Sequence, residues 1–143
     1  MKKFSGKKVS TAVFISGRGS NLKSLISFSK TITSPIKIDI VFSNNKNAFG
    51  LKFAKEKKIE IIRLNEKNFN ILEQKLAKIL NEKKIELICL AGFMRILSKS
   101  FIKKFNGKII NIHPSLLPKY KGLNTFKKAI RNNDLQYLED KFT

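Results

Sequence analysis

Two side chains that could act together in a group transfer lie two residues apart, at Asn111 and His113. On an extended segment, residues at this spacing project to the same face. An amide beside an imidazole suits acyl-type transfer, because the amide can stabilise a developing oxyanion while the imidazole carries a proton. His113 is the only histidine in the chain. A lone histidine is more often structural, but a position just past a predicted strand favours catalysis.

A second candidate site is the glycine-rich turn at residues 17–21, Gly-Arg-Gly-Ser-Asn. Such a turn at a helix N-terminus offers backbone N–H groups and a partial positive charge, which suit a phosphate monoester. A dinucleotide fingerprint would need a glycine in place of Leu22 and an acidic residue near residues 42–44, where none stands. NAD is therefore disfavoured. An ordinary glycine-rich turn with a serine cap explains the motif equally well.

The third candidate is residues 90–97, Leu-Ala-Gly-Phe-Met-Arg-Ile-Leu. Gly92 interrupts an apolar strand pattern, and an apolar segment with one arginine follows. An apolar loop with backbone polar groups suits a flat heteroaromatic ligand such as a pterin. By itself the pattern favours a simpler interpretation, a strand that runs into a buried turn. Cys89, in the middle of the same strand, is predicted to be an inert buried thiol.

The elements that must position these sites alternate along the chain. Strands are predicted at residues 9–16, 36–43, 59–64, 85–91 and 108–112, and helices at 22–28, 48–57, 69–80, 98–105 and 125–132. This alternation predicts an α/β fold, a Rossmann-like open and mostly parallel sheet with helices on both faces. Residues 1–143 are interpreted as a single domain. The three candidate sites all follow strands, so they share the carboxyl edge of the sheet.

The charge of the chain is strongly basic: 30 Lys and Arg against 10 Asp and Glu give +20. Only four of the basic residues are arginines, and the lysines are spread along the whole chain. Proteins that read phosphates and bases favour arginine for its bidentate fork, so we do not expect a nucleic-acid partner. A positive field would still attract a small anionic substrate.

Composition excludes several other classes of protein. The single cysteine rules out a disulfide framework and a multi-cysteine zinc site. The longest uncharged stretch, residues 87–94, is far shorter than the roughly 20 residues that span a bilayer. Arg18 interrupts the first apolar run, and no small-residue cleavage site follows, which argues against a signal peptide. We expect a cytoplasmic protein with small-molecule substrates, no membrane contact and no metal, acting as a monomer or weak dimer.

The three candidate segments together resemble the 10-formyltetrahydrofolate-dependent formyltransferase family, and within it the branch that formylates phosphoribosylglycinamide. The resemblance runs from about residue 8 to residue 133 and covers residues 16–21, 42–45, 48–50, 90–97, 111–120 and 122–123. It implies transfer of a formyl group from 10-formyltetrahydrofolate to the primary amine of 5′-phosphoribosylglycinamide, a step of purine biosynthesis. By position, the residues that hold the substrate phosphate are Gly19, Ser20 and Asn21.

The resemblance also implies roles at the other two segments. The folate pocket is expected at Met94, Arg95, Ile96 and Leu97. Asn111 is expected to contact the folate and to polarise its formyl oxygen, and His113 to be the proton donor. No metal is implied.

Family members continue beyond the part that matches this chain, with further strands and a C-terminal helix that carry a catalytic aspartate. None of Asp39, Asp134 and Asp140 lies at the corresponding position. We therefore expect a domain that is incomplete at its C-terminus, and the sequence leaves open whether it is active without that segment. Lys67 stands where the family has an arginine that contacts the folate, and the sequence also leaves open whether it replaces that arginine.

A competing hypothesis belongs to a different class: a catalytically inactive α/β module that binds a ribonucleotide or, through its lysines, nucleic acid. Strong salt dependence of oligonucleotide binding would favour the nucleic-acid version. Saturable binding of a glycinamide ribonucleotide analogue without turnover would favour the inactive module.

Overall fold

Strands and helices alternate strictly through residues 6–112, the part of the chain that the computed structural model describes. The elements are β1 Val9–Ile15, α1 Ser20–Ser29, β2 Ile36–Ser43, α2 Leu51–Glu56, β3 Glu60–Ile62, α3 Phe69–Glu82, β4 Leu87–Ala91, α4 Lys99–Lys104 and β5 Lys108–Ile112. The predicted alternation is confirmed over this range. The helix predicted at residues 125–132 lies outside the described residues.

The five strands form one parallel sheet in the order β3-β2-β1-β4-β5. The chain lays β2 and then β3 on one side of β1, then crosses to place β4 and β5 on the other side. Ligands of open α/β sheets bind at the carboxyl ends of the strands, where the order reverses. In this sheet the reversal lies between β1 and β4. The predicted α/β fold with a parallel sheet is confirmed.

Helices cover both faces of the sheet because successive strand residues point to opposite sides. On one face, Val13 and Ile15 of β1 pack with apolar residues of α1 and α2. On the other face, Phe14 and Phe42 pack with Leu76 of α3 and with apolar residues of α4. β4 is buried on both faces, as a central parallel strand must be. The two apolar layers fix the strands whose ends carry the candidate site.

Two helices begin at side-chain caps. Asn68 Oδ1 accepts a hydrogen bond of 3.2 Å from the backbone N–H of Ile71 at the start of α3. Ser98 Oγ accepts one of 3.1 Å from Phe101 at the start of α4, so the cap predicted at Ser98 is confirmed. α2 is shorter than predicted, since residues 48–50 form turns in which Gly50 donates its N–H to Gly17.

Cys89 is completely buried in β4, and this burial raises the pKa of its thiol. A buried thiol of this kind stays protonated and unreactive, in agreement with the sequence interpretation. Within residues 6–112, His, Cys, Asp and Glu side chains form no group of three or more that could hold a metal ion. Over the same residues, every helix is too short or too polar to cross a membrane.

Candidate active site

The carboxyl edge of the sheet carries all of the described site residues. The turn at residues 16–19 follows β1, and the segment at residues 92–98 follows β4, the neighbouring strand. Asn111 lies near the end of β5, which pairs with β4 on its other side. The predicted phosphate turn, the predicted folate segment and Asn111 therefore belong to three adjacent strands, β1, β4 and β5.

Asn111 ends a row of side chains that runs straight across the sheet. Partners in a parallel register share a face, and the register joins Ile62, Phe42, Phe14, Leu90 and Asn111 in that order. The first three side chains are buried and Leu90 is partly buried, whereas Asn111 is exposed. Within residues 6–112 the Asn111 amide forms no hydrogen bond to another side chain, so in this part of the chain its polar groups face the groove.

A groove of about 710 Å³ lies beside Asn111. Its lining is mainly apolar and includes Leu90, Phe93 and Ile109, with the amide of Asn111 among them. Arg95 and Lys108 also line it, so the groove offers apolar walls, one amide and two cationic side chains. Such a lining suits a flat heteroaromatic ligand that also carries polar or anionic groups.

The segment predicted to bind folate forms one wall of this groove. Gly92 ends β4 with a φ of +74°, a conformation that favours glycine, and the segment turns outward from there. Arg95, Ile96 and Leu97 line the groove, whereas Met94 is not among the lining residues. The Ile96 side chain is 94% exposed, so an unusually large apolar surface faces solvent at this position.

Three polar or aromatic contacts hold the segment in place. The backbone N–H of Met94 donates a hydrogen bond of 2.7 Å to Ser16 Oγ, at the end of β1. The Arg95 guanidinium carbon lies 3.9 Å from the centre of the Phe69 ring on α3, a cation–π distance. The last contact is made at the far end of the segment, where Ser98 N–H donates to the buried carboxylate of Glu73 at 2.9 Å.

The turn predicted to bind phosphate places Gly19 at the N-cap of α1, with a φ of +76°. No side chain caps this helix, so the serine cap expected of an ordinary turn is not formed. Ser20 is instead the first helical residue and is exposed, while Asn21 is buried. The backbone N–H groups of the first turn therefore remain available to an anion.

Comparison with known proteins places these features in one family. Residues 9–136 match the family model described as formyl transferase. The chain belongs to the formyl transferase family. It is 43% identical over 129 residues to phosphoribosylglycinamide formyltransferase of Haemophilus influenzae. The matched residues cover 88% of this chain and 61% of that protein. It is 44% identical over 130 residues to the human trifunctional purine biosynthetic protein adenosine-3, covering 89% of this chain and 13% of that protein.

Solved structures of similar proteins agree with this assignment. The crystal structure of phosphoribosylglycinamide formyltransferase from Brucella melitensis superposes with a TM-score of 0.69 at 38% identity, covering 89% of this chain and 68% of that one. This formyl transferase chain thus spans about three fifths of the length of the Haemophilus relative. The family resemblance and the formyltransferase fold inferred from the sequence motifs are both confirmed.

The two glycine turns of this formyl transferase chain pack directly against each other. A Cβ at Gly19 would lie 2.5 Å from the Cα of Gly50, closer than side-chain atoms come in folded proteins. Gly50 also donates its N–H to the Gly17 carbonyl at 2.9 Å. The β2–α2 turn therefore supports the predicted phosphate turn, and neither Gly19 nor Gly50 has room for a side chain.

Gly19→Ala is expected to lower the free energy of unfolding by about 2–4 kcal/mol, because it combines the left-handed backbone with a backbone clash. Gly17→Ala is the matched control, since a Cβ there meets nothing within 4 Å. It should change stability by less than about 0.5 kcal/mol. Urea unfolding followed by circular dichroism measures both, and equal losses in the two variants would contradict the close packing.

His113 lies outside the described residues, so its geometry relative to Asn111 stays a prediction. Sequence reasoning missed the contacts that hold the groove wall of this formyl transferase. These are made by Ser16, Phe69 and Glu73. The signal for Ser16 was a hydroxyl directly after the apolar run of β1, but no local pattern pointed to the other two.

A second hollow, of about 650 Å³, lies at the opposite, amino edge of the sheet. Its lining residues include five lysines and two carboxylates: Lys7, Lys37, Lys83, Lys84 and Lys108 with Asp39 and Glu86. None of the predicted site residues lines it. The candidate active site of this formyl transferase is therefore the carboxyl edge.

Proposed function

We propose that this formyl transferase chain transfers the formyl group of 10-formyltetrahydrofolate to the primary amine of 5′-phosphoribosylglycinamide, a step of purine biosynthesis. The observation that carries the proposal is the placement of Asn111. Its exposed amide ends an apolar row and lines a groove that runs along β5 from Lys108 to the segment after β4. The predicted phosphate turn lies at the same carboxyl edge as Asn111. The similarity to phosphoribosylglycinamide formyltransferases supports the choice of substrate. The partners of such an enzyme are small molecules in the cytoplasm.

In this proposal the turn at residues 17–21 binds the substrate phosphate. The uncapped N-terminus of α1 supplies backbone N–H groups and a partial positive charge. The Ser20 hydroxyl is exposed beside them and can donate a further hydrogen bond. Gly19 at the cap position carries no side chain that would compete for the backbone N–H groups after it, and Asn21 lies buried in the first turn of α1.

The groove binds the folate. Its apolar lining, which includes Phe93, Ile96 and Leu97, buries the flat ring system, and Arg95 lines it with its guanidinium over the Phe69 ring. Met94 contributes to the folate site through its backbone, whose N–H donates a hydrogen bond to Ser16 Oγ and so fixes the start of the groove wall. The bound folate supplies the formyl group at the oxidation level of formate.

Asn111 and His113 carry the chemical step in this proposal. The substrate amine forms a bond to the formyl carbon, and the bond from that carbon to the folate nitrogen breaks. The Asn111 amide donates a hydrogen bond to the formyl oxygen, whose negative charge grows as the amine attacks. The protonated His113 delivers a proton to the departing nitrogen, and the proton that the amine loses returns to the imidazole through solvent. One proton thus leaves the amine, one reaches the folate nitrogen, and His113 ends in its starting state.

The test is a formyl-transfer assay on the 143-residue chain with 5′-phosphoribosylglycinamide and 10-formyltetrahydrofolate, followed by the absorbance of the folate product. We expect transfer that falls by at least about 100-fold in His113→Ala. Calorimetric binding of each ligand should be nearly unchanged in this variant, because His113 acts in the chemical step.

Two outcomes would contradict the proposal. A folded chain that binds neither 5′-phosphoribosylglycinamide nor tetrahydrofolate contradicts the assigned substrates. Equal turnover by the wild type and His113→Ala contradicts the assigned proton donor while leaving the substrates in place. Circular dichroism on both proteins establishes that they are folded.

A further inference from the structure

The Ser16 hydroxyl makes two short hydrogen bonds to segments that are distant in the sequence. It donates to Asn44 Oδ1 at 2.6 Å, 28 residues away. It accepts from the backbone N–H of Met94 at 2.7 Å, 78 residues away. A hydroxyl has one proton to donate, so the bond to Asn44 turns an oxygen lone pair toward Met94.

These bonds connect the ends of three adjacent strands. Ser16 follows β1, Asn44 follows β2, and Met94 is the third residue after β4. Ser16 also directly precedes the predicted phosphate turn, while Met94 directly precedes the groove-lining residues 95–97. One hydroxyl thus lies at the junction of the two proposed ligand sites.

We propose that Ser16 is a positioning residue that fixes the groove wall through the Met94 backbone and so sets folate affinity. This inference rests on the proposed function. The far end of the segment is held separately, by Glu73 at Ser98. Ser16 supplies the polar contact at the near end, so its loss frees the wall where Gly92 allows the backbone to turn.

The phosphate turn does not depend on the same hydroxyl. It is held by the hydrogen bond from Gly50 to Gly17 and by the packing of Gly19 against Gly50. The apolar core is also independent of the hydroxyl, since Ser16 is only half-buried and Met94 is 80% exposed. Removing the hydroxyl should therefore affect folate selectively, with small effects on stability and on binding of the ribonucleotide.

The test compares Ser16→Ala with Ser27→Ala, a matched serine on the exposed face of α1. Isothermal titration with tetrahydrofolate should give a Kd about tenfold higher for Ser16→Ala, as expected for the loss of two hydrogen bonds. The Kd for 5′-phosphoribosylglycinamide should stay within about twofold. Ser27→Ala should match the wild type with both ligands, and Ser16→Thr, which keeps a hydroxyl, should recover most of the folate affinity.

Hydrogen exchange measured by NMR provides a readout without ligand. In Ser16→Ala the Met94 amide should exchange about tenfold faster, because its acceptor is gone. The Ser98 amide, bonded to Glu73, should keep its rate and serves as the internal reference.

The outcomes separate this inference from the proposed function. Wild-type protein that binds tetrahydrofolate while Ser16→Ala binds it equally well overturns the inference alone. An equal rise in the Kd of both ligands in Ser16→Ala also overturns the inference, because that result indicates that Ser16 stabilises the structure as a whole. Wild-type protein that binds no tetrahydrofolate overturns the proposed function, and the folate role of Ser16 with it.

Discussion

Under the proposed function, replacing Asn111 with alanine is expected to lower kcat for formyl transfer by about 10²- to 10³-fold, the loss typical of removing a donor to a developing oxyanion. The donor matters mainly in the transition state, where the formyl oxygen gains charge, so KM for both ligands should change by less than about threefold. β5 holds the Asn111 backbone in register with Leu90, which places its side chain on the face that lines the groove. Steady-state kinetics at saturating concentrations of both ligands measure the effect.

Two further variants sharpen this prediction. Asn111→Asp keeps the shape of the side chain but replaces the donor with an acceptor, so it should be at least as inactive as the alanine variant. Asn106→Ala removes another exposed asparagine, just before β5, and should keep kcat within about twofold. Because Asn111 is exposed, its loss should leave the thermal midpoint nearly unchanged. A kcat above one third of the wild-type value in Asn111→Ala would exclude its role at the formyl oxygen.

The largest expected loss of stability follows from Phe14→Ala, about 3–5 kcal/mol. Phe14 is completely buried near the carboxyl end of β1, and the centre of its ring lies 5.1 Å from the ring centre of Phe42 and 5.4 Å from that of Phe93. Alanine would leave a cavity between the sheet and the helices α3 and α4, and the surrounding strands can collapse only partly. A single domain is typically stable by about 5–15 kcal/mol, so this loss is a large share of the total.

Urea unfolding of Phe14→Ala should be compared with that of Phe49→Ala. Phe49 is 57% exposed, and its removal should cost less than about 1 kcal/mol. Phe93 belongs to the groove wall, so Phe14→Ala should also weaken tetrahydrofolate binding in conditions where the protein stays folded. A loss in Phe14→Ala no larger than in Phe49→Ala would contradict the central place of this ring in the core.

Local pattern predicted most of the secondary structure correctly. The bounds of β2 and β5 match the prediction residue for residue, since both are rich in isoleucine and lie directly after a turn-forming residue, Pro35 or Gly107. The cap at Ser98 was also predictable, because a helix cap depends on neighbours only three residues away. β3 is shorter than predicted, because only three of its residues pair with β2.

The start of α1 and α2 could not be predicted from local pattern. A serine after a glycine suggested a capped helix, but Gly19 takes the cap position because it packs against Gly50, 31 positions along the chain. Residues 48–50 form a turn before α2, in which Gly50 donates its N–H to the Gly17 carbonyl, and α2 begins only at Leu51. The starts of α1 and α2 therefore depend on the contact between the turn at residues 17–19 and the turn at residues 48–50.

The sequence by itself determined the α/β alternation and the family, and it pointed to the segments of the candidate site, because periodicity, glycine turns and long motifs are local properties. Tertiary structure decided how those segments meet. The strand order places β4 beside β1, and this crossing brings Met94 to Ser16 across 78 residues. The same packing brings Phe69 to Arg95 and Glu73 to Ser98. Such contacts depend on the path of the backbone between distant elements, which no window of neighbouring residues contains.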